Sequence, residues 1–225
     1  MRSGRLFGLR PDEGAAELAA AGLIRLAAEE RRGGGAGTRP WLWQMRAASF
    51  ADAWLAFADP AAPGLRVPAE AVLRSVVHRA AELVLQAHDG DGPAALDRLG
   101  RQAAEARERA RRDDASHPAE PDAFALVWHG VQAASAGHGA ETERELHRTR
   151  IAERCEAYVR GRHRRQDTLA LVLACARCAA GALGELSDDD PGATAACLEE
   201  HAARFMRQDG PAPLWVPGRP GQLTG

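Results

Sequence analysis

Apolar residues recur every three to four positions along nearly the whole chain, and this pattern constrains the fold more than any other feature. Such spacing places apolar side chains on one face of an α-helix. We find no stretch with the alternating apolar and polar residues that are typical of a β-strand. Proline and glycine divide the pattern into about eight segments. The sequence therefore predicts an all-α fold, a single bundle of about eight helices.

Residues that typically begin or end a helix mark the limits of each predicted helix. In chain order they cover residues 12–32, 40–59, the segment from Pro68 to the turn HDGDGP, 94–112, 122–136, 140–160, 166–186 and 193–208. We expect a flexible N-terminus over 1–11, one helical domain over 12–208, and a disordered tail rich in proline and glycine over 209–225. A chain of 225 residues is long enough to bury a substantial core.

The net charge and the first ten residues limit which partners and which cellular compartment we expect. The chain has 29 basic and 31 acidic residues, a net charge of −2, so no overall field attracts nucleic acid or an anionic membrane. We therefore expect a protein partner or a small ligand, and rank nucleic acid behind both. The first ten residues lack the apolar core of a secretory signal, which predicts a cytoplasmic protein with reduced thiols.

The most hydrophobic segment, TLALVLACARCAAGALG, follows a basic run and needs a membrane test. Its five strongest apolar residues each favour insertion by about 0.3–0.6 kcal/mol, whereas Arg177 near the centre costs about 2.5–3.5 kcal/mol. These contributions cancel, so the segment is predicted to be a buried helix and no membrane partner is expected.

This same helix contains Cys175 and Cys178, and three interpretations compete for them. A redox dithiol needs a lowered thiol pKa, which a helix N-terminus or a nearby cation supplies. The pair lies in mid-helix, and the position four residues after the second cysteine, a histidine in the alkylhydroperoxidase-like proteins, is Ala182. We rank redox chemistry last and buried core thiols first.

Metal binding ranks second. The next helix carries Cys197 and His201 one turn apart, which gives the pattern Cys-x₂-Cys-x₁₈-Cys-x₃-His. That spacing is close to known zinc sites. If the two helices form a hairpin, Cys175, Cys178, Cys197 and His201 are the predicted ligands and zinc is the metal that they indicate.

An aromatic stripe marks the second predicted helix. Four of the chain's eleven aromatic residues share one face, namely Trp43, Phe50, Trp54 and Phe57. A core anchor is the simpler interpretation. The alternative is a pocket for a flat apolar ligand.

Two arginine motifs suggest anion chemistry. One is a cluster of guanidinium groups that could contact phosphate, Arg160, Arg162, Arg164 and Arg165, although a solvated helix junction is the preferred interpretation. The other, Arg112-x₄-His117, resembles the Arg-x₄₋₆-His motif of the all-helical HEPN ribonucleases. The resemblance would imply that both residues act on an RNA phosphodiester, but the motif is short and about one such match is expected by chance.

Two further pairs have helical spacing, His78 with Glu82 and Glu143 with His147. Exposed i,i+4 pairs are the expected explanation. No catalytic constellation rises above chance, and whether the chain is an enzyme stays open. We therefore expect a non-catalytic helical binding or accessory module, with a Cys₃His metal protein or enzyme as the first alternative and a HEPN-like ribonuclease or RNA binder as the second.

Overall fold

The computed structural model describes residues 11–33, 55–56, 67–112, 119–136, 140–160 and 165–206, with backbone alone for 11–15, 33, 55–56, 67, 160, 165–166 and 200–206. Seven helices lie in these ranges. They are α1 (Pro11–Gly33), α2 (Ala69–Gln86), α3 (Gly92–Arg112), α4 (Ala119–Ser135), α5 (Glu141–Arg160), α6 (Arg165–Leu186) and α7 (Pro191–Met206). The all-α prediction is confirmed, and each of these seven helices begins and ends within three residues of its predicted limits.

The helix predicted over 40–59 falls mostly outside the described residues, but its two described residues correct it. Leu55–Ala56 forms a short strand, β1, which pairs in parallel with Val67–Pro68, β2. The backbone at these two residues therefore finds its partners on another segment instead of within a helix of its own. The predicted N-terminal segment 1–10 and the tail 209–225 lie outside the described residues.

The bundle is organised around α2 and α6. Helix α2 packs against α1, α4, α5 and α6, and α6 also packs against α1 and α4. Helix α3 covers the outside of α4. One connected apolar core, made mainly of Ala, Leu and Val, joins side chains from α1 to α6.

Aspartate side chains cap the N-termini of two of the helices. The Asp91 carboxylate accepts the backbone N–H of Ala94 at 3.0 Å, at the beginning of α3. Asp190 accepts the N–H of Ala193 at 2.7 Å, at the beginning of α7. Both contacts satisfy a helix N–H that has no partner within the helix. The two acidic turns, which the sequence indicates as breaks between helices, thus set the N-terminal ends of α3 and α7.

Helix α6 is the one described helix long and apolar enough to cross a membrane, with a mean hydropathy of 1.7 over its best window. Of that window, 56% is buried inside the bundle. Leu171, Val172 and Leu183 are fully buried. Arg177 lies on the outer side, where its guanidinium donates to both carboxylate oxygens of Glu30 at 3.0 and 3.2 Å. This helix occupies the core position that the sequence predicts.

Candidate functional site

The predicted metal ligands fall on α6 and α7. Cys175 is fully buried, whereas Cys178 and Cys197 are partly buried and pack against the apolar core. The backbone of His201 belongs to α7, and its side chain lies outside the described residues. Among the described side chains, no group of three or more His, Cys, Asp or Glu is placed to hold a metal ion. The described geometry thus does not assemble the zinc site, which stays a prediction.

The thiols themselves have the character of core residues. All four cysteines belong to the described helices and none of them forms a disulfide. Burial raises the pKa of Cys155 and of Cys178 to about 12, and it raises the pKa of Cys175 well above its usual value. A dithiol redox centre needs the opposite shift, because the thiolate is the reactive form. The cysteine pair therefore lacks the electrostatics of a redox site.

The other predicted sites lie mostly outside the described residues. The aromatic stripe, Trp43, Phe50, Trp54 and Phe57, lies outside the described residues, as do the side chains of the arginine cluster, Arg160, Arg162, Arg164 and Arg165. Of the motif that resembles HEPN ribonucleases, His117 also lies outside. Arg112 is described, and it donates to Glu108 one turn earlier at 2.8 Å.

The structure brings together two histidines that sequence analysis did not connect. His129 in α4 and His147 in α5 face each other, with 3.3 Å between their Nδ1 atoms and 5.5 Å between their ring centroids. The indole of Trp128 meets the His129 ring edge-on, at a centroid distance of 5.2 Å. One of the two Nδ1 atoms can carry the proton and donate it to the other. The pair is thus a polar contact between the side chains of α4 and α5.

Helix pairing brings two more polar groups to the same place. Helices α4 and α5 are consecutive, packed together and joined by a short connection, which makes them antiparallel. The register that sets His129 opposite His147 places Gln132, one turn further along α4, opposite Arg144, one turn earlier on α5. We call these four residues the histidine cluster.

Two atoms of the histidine cluster lack well-formed hydrogen bonds. Gln132 Oε1 and Arg144 Nε are both buried without a well-formed hydrogen bond, although Gln132 lies close enough to His129 to raise the pKa of that ring against the effect of burial. A terminal nitrogen of Arg144 does donate to Glu141 Oε2, at 2.7 Å. Buried polar atoms are nearly always hydrogen-bonded, so an unpaired acceptor and an unpaired donor at one level of a helix pair indicate a place for a ligand or water.

The electrostatics keep His129 neutral. Burial, followed by the charge of Arg154, the neighbouring His147 and the charge of Arg150, lowers the pKa of His129 to about 4. An imidazole with that pKa carries no charge at neutral pH, and its lone pair is available. Neutral imidazoles can accept hydrogen bonds or bind a metal ion, so the histidine cluster has the chemistry of a binding site.

One sequence interpretation of these residues was wrong. We expected Glu143 and His147 to form an exposed i,i+4 pair, but His147 is only 5% exposed and its Nε2 lies 4.0 Å from Glu143 Oε1. Packing against α4 buries the imidazole while Glu143 remains in solvent. In the other pair, Glu82 contacts Arg79 at 2.9 Å, and Arg79 also forms an ion pair with Glu17 at 3.2 Å.

No protein-family model, curated protein or solved structure matches the chain.

Proposed function

We propose that this chain is a non-catalytic helical binding module that holds a small ligand in the histidine cluster between α4 and α5. The observation that carries the proposal is the pair of buried atoms Gln132 Oε1 and Arg144 Nε, which lack a well-formed hydrogen bond, beside the facing imidazoles of His129 and His147. Leaving a buried polar group unpaired costs about 1–3 kcal/mol. A ligand with one acceptor and one donor recovers that cost, and a water molecule can take its place when the ligand is absent.

Binding is favoured over catalysis by the state of the described thiols. Cys155, Cys175 and Cys178 all have a pKa raised by burial, which makes them poor nucleophiles. The four cysteines are thiols, the form that a cytoplasm maintains, and we propose that compartment for the protein. Counting alkylated cysteines in protein trapped directly from cells tests the compartment, since oxidised pairs would contradict it.

A small ligand is favoured over a protein partner by the described surface. Its exposed large apolar side chains are Leu146, at 49%, and Leu186, at 41%. They belong to different helices, α5 and the end of α6. A stable protein interface needs about 800 Å² on each partner with an apolar centre. Among the side chains that the structure describes, two separate leucines do not supply that centre, whereas a polar cluster between two helices suits a small molecule.

A fragment screen by NMR tests the proposal. We expect small fragments that carry both a donor and an acceptor to shift the signals of Trp128, His129, Gln132 and His147 in the full-length protein. The same fragments should lose this effect in the double variant His129→Leu/His147→Leu. His88→Gln should bind them as the wild type does, because His88 lies in the turn after α2, away from α4 and α5, with its Nδ1 2.9 Å from Val84 O.

Two results would contradict the proposal. Fragments that bind with equal strength to the wild type and the double variant would place the site elsewhere. A complete absence of hits at the histidine cluster, in protein that is folded and monodisperse, would leave the cluster with a structural role alone.

A further inference from the structure

Two exposed arginines of α5 lie beside the histidine cluster. Arg150 and Arg154 follow His147 by about one turn and two turns. Among the charged side chains, these two have the largest effect on the His129 ring, so both lie near it. Guanidinium groups bind carboxylate and phosphate groups through charge-assisted hydrogen bonds. We propose that Arg150, Arg154 and His129 bind a small molecule through an oxyanion group. The inference rests on the proposed function, because it names the ligand class of the histidine cluster.

The two arginines have charge available for a ligand. Other arginines of α5 are paired with acidic residues of the same helix, since Arg144 donates to Glu141 at 2.7 Å and Arg148 lies 3.9 Å from it. Within the described part of the chain, Arg150 and Arg154 form no such ion pair. A bound oxyanion would therefore neutralise two cations without displacing an acidic side chain.

Two carboxylates lie near this surface, and both weaken its positive field. Asp122 in α4 accepts a hydrogen bond from the Tyr158 hydroxyl at 3.1 Å. Glu143 lies two turns before Arg150 on α5, with its Oε1 4.0 Å from His147 Nε2. Each exposed charge pair contributes little to binding, so we expect a dissociation constant of about 0.1–1 mM for a small probe.

An aromatic ring next to the imidazole favours an organic acid over a free inorganic ion. The Trp128 indole is half-buried and meets the His129 ring edge-on, at a centroid distance of 5.2 Å. It offers apolar surface near the same imidazole that the two arginines approach. An aromatic acid can place its oxyanion on the arginines and its ring against the indole. Inorganic phosphate can make only the first contact and should bind more weakly.

Binding should also change the protonation of His129. The charges of Arg154 and Arg150 help to hold the pKa of this ring at about 4. A bound oxyanion neutralises those charges and accepts a hydrogen bond from the ring, and both effects favour the protonated imidazole. The pKa of His129 should therefore rise to about 5 or above when the ligand saturates the protein.

NMR titration of the full-length protein at constant ionic strength tests the inference. The probes are benzoate and phenyl phosphate, with benzamide as the neutral analogue of benzoate and inorganic phosphate as the ion without a ring. We expect both aromatic acids to shift the signals of the Trp128 indole and the His129 ring, and benzamide to bind at least tenfold more weakly than benzoate. The stronger of the two acids identifies carboxylate or phosphate as the group that the site prefers.

Exposed variants on one helix provide matched controls. Arg150→Gln and Arg154→Gln should each weaken benzoate binding at least threefold. Arg148→Gln makes the same change of charge on α5, but Arg148 pairs with Glu141 and its charge acts on His78 in α2. This variant should bind benzoate as the wild type does. The rise in the pKa of His129 on binding, measured on the wild type, does not depend on any variant.

Three results would overturn the inference. They are equal affinities for benzoate and benzamide, full binding in both Arg150→Gln and Arg154→Gln, and an equal loss in Arg148→Gln. If the acids fail while neutral fragments still shift the signals of the histidine cluster, the ligand class is wrong and the binding module stands. If neutral fragments fail as well, both are wrong.

Discussion

The Nδ1 atoms of His129 and His147 lie 3.3 Å apart between α4 and α5, although the two residues are eighteen positions apart in the chain. His147 is 5% exposed, and the apolar core of the bundle consists mainly of Ala, Leu and Val. The contact thus buries the His147 imidazole, a polar group whose burial costs free energy unless it has a partner. We attribute the pair to binding, and the predictions below separate that role from the contacts that hold the bundle together.

Arg79 anchors α1 to α2 through a buried ion pair. Its side chain is 8% exposed and contacts Glu17 at 3.2 Å. Arg79→Met should lower the free energy of unfolding by about 2–4 kcal/mol, because it leaves the Glu17 carboxylate partly buried without its guanidinium. Arg25→Met is the matched control, since Arg25 is 70% exposed and meets Glu29 within the same helix. Its effect should stay within about 0.5 kcal/mol. Equal effects in urea unfolding would contradict this role of Arg79.

Gly130 allows α4 to approach α2 closely. A Cβ at this position would lie 2.7 Å from the Cβ of Ala81, closer than packed side chains allow. Gly130→Ala should therefore destabilise the protein by about 1–3 kcal/mol. At Gly100 in α3 nothing lies within 4 Å of the added atom, and Gly100→Ala should stabilise by about 0.5–1 kcal/mol. Thermal unfolding measures both, and stabilisation by Gly130→Ala would show that the two helices do not pack this closely.

The buried thiols should resist alkylation in the folded protein. A pKa of about 12 for Cys155 and Cys178 leaves about one thiolate in ten thousand at pH 8. We expect iodoacetamide to label both at least one hundred times more slowly in buffer than in urea. Mass spectrometry of tryptic peptides follows the labelling, with fragmentation to separate Cys178 from Cys197. Comparable rates in buffer and urea would show that these thiols are accessible and ionised.

The ion pair between Arg98 and Glu185 should make stability depend on pH. The Arg98 guanidinium bonds both carboxylate oxygens and holds the pKa of Glu185 below its usual value. The unfolded state therefore binds more protons near that value, and the stabilisation is present above about pH 4.5 and lost as the pH falls through the folded pKa.

Urea unfolding of the wild type and Arg98→Met measures this dependence. We expect the wild type to be more stable by about 0.5–1 kcal/mol at pH 7, since both side chains are partly exposed, and by much less at pH 3. Arg101→Met, a change to an exposed residue one turn along α3, should behave as the wild type at both values. A difference for Arg98→Met that does not change with pH would exclude the carboxylate as its cause.

The sequence predicts the helices well because their limits are local. Pro and Gly interrupt the apolar pattern, and Asp91 and Asp190 cap the helices that follow the two acidic turns. Each of these signals lies within a few residues of the helix end that it sets. For this reason the limits of α3 and α7 follow from the sequence.

The histidine cluster could not be predicted in the same way. His129 and His147 meet only because α4 and α5 pack in one particular register, and periodicity does not report which helices pack together. The i,i+4 spacing of Glu143 and His147 suggested a partner for His147 on its own helix, whereas its Nδ1 contacts His129 on the preceding helix. At Leu55, pairing with Val67 overrides a local helical pattern for the same reason, since that partner is distant along the chain.

The most direct test asks whether His129 and His147 are present for binding or for stability. The free energy of unfolding of His129→Leu/His147→Leu, measured without ligand and with a chelator present, should equal or exceed that of the wild type by up to about 2 kcal/mol. Leucine has a similar volume, and a buried polar pair can be replaced by apolar residues without loss when it does not hold the fold together. A loss of more than about 2 kcal/mol would show that the pair fastens α4 to α5, which would contradict the proposed binding role.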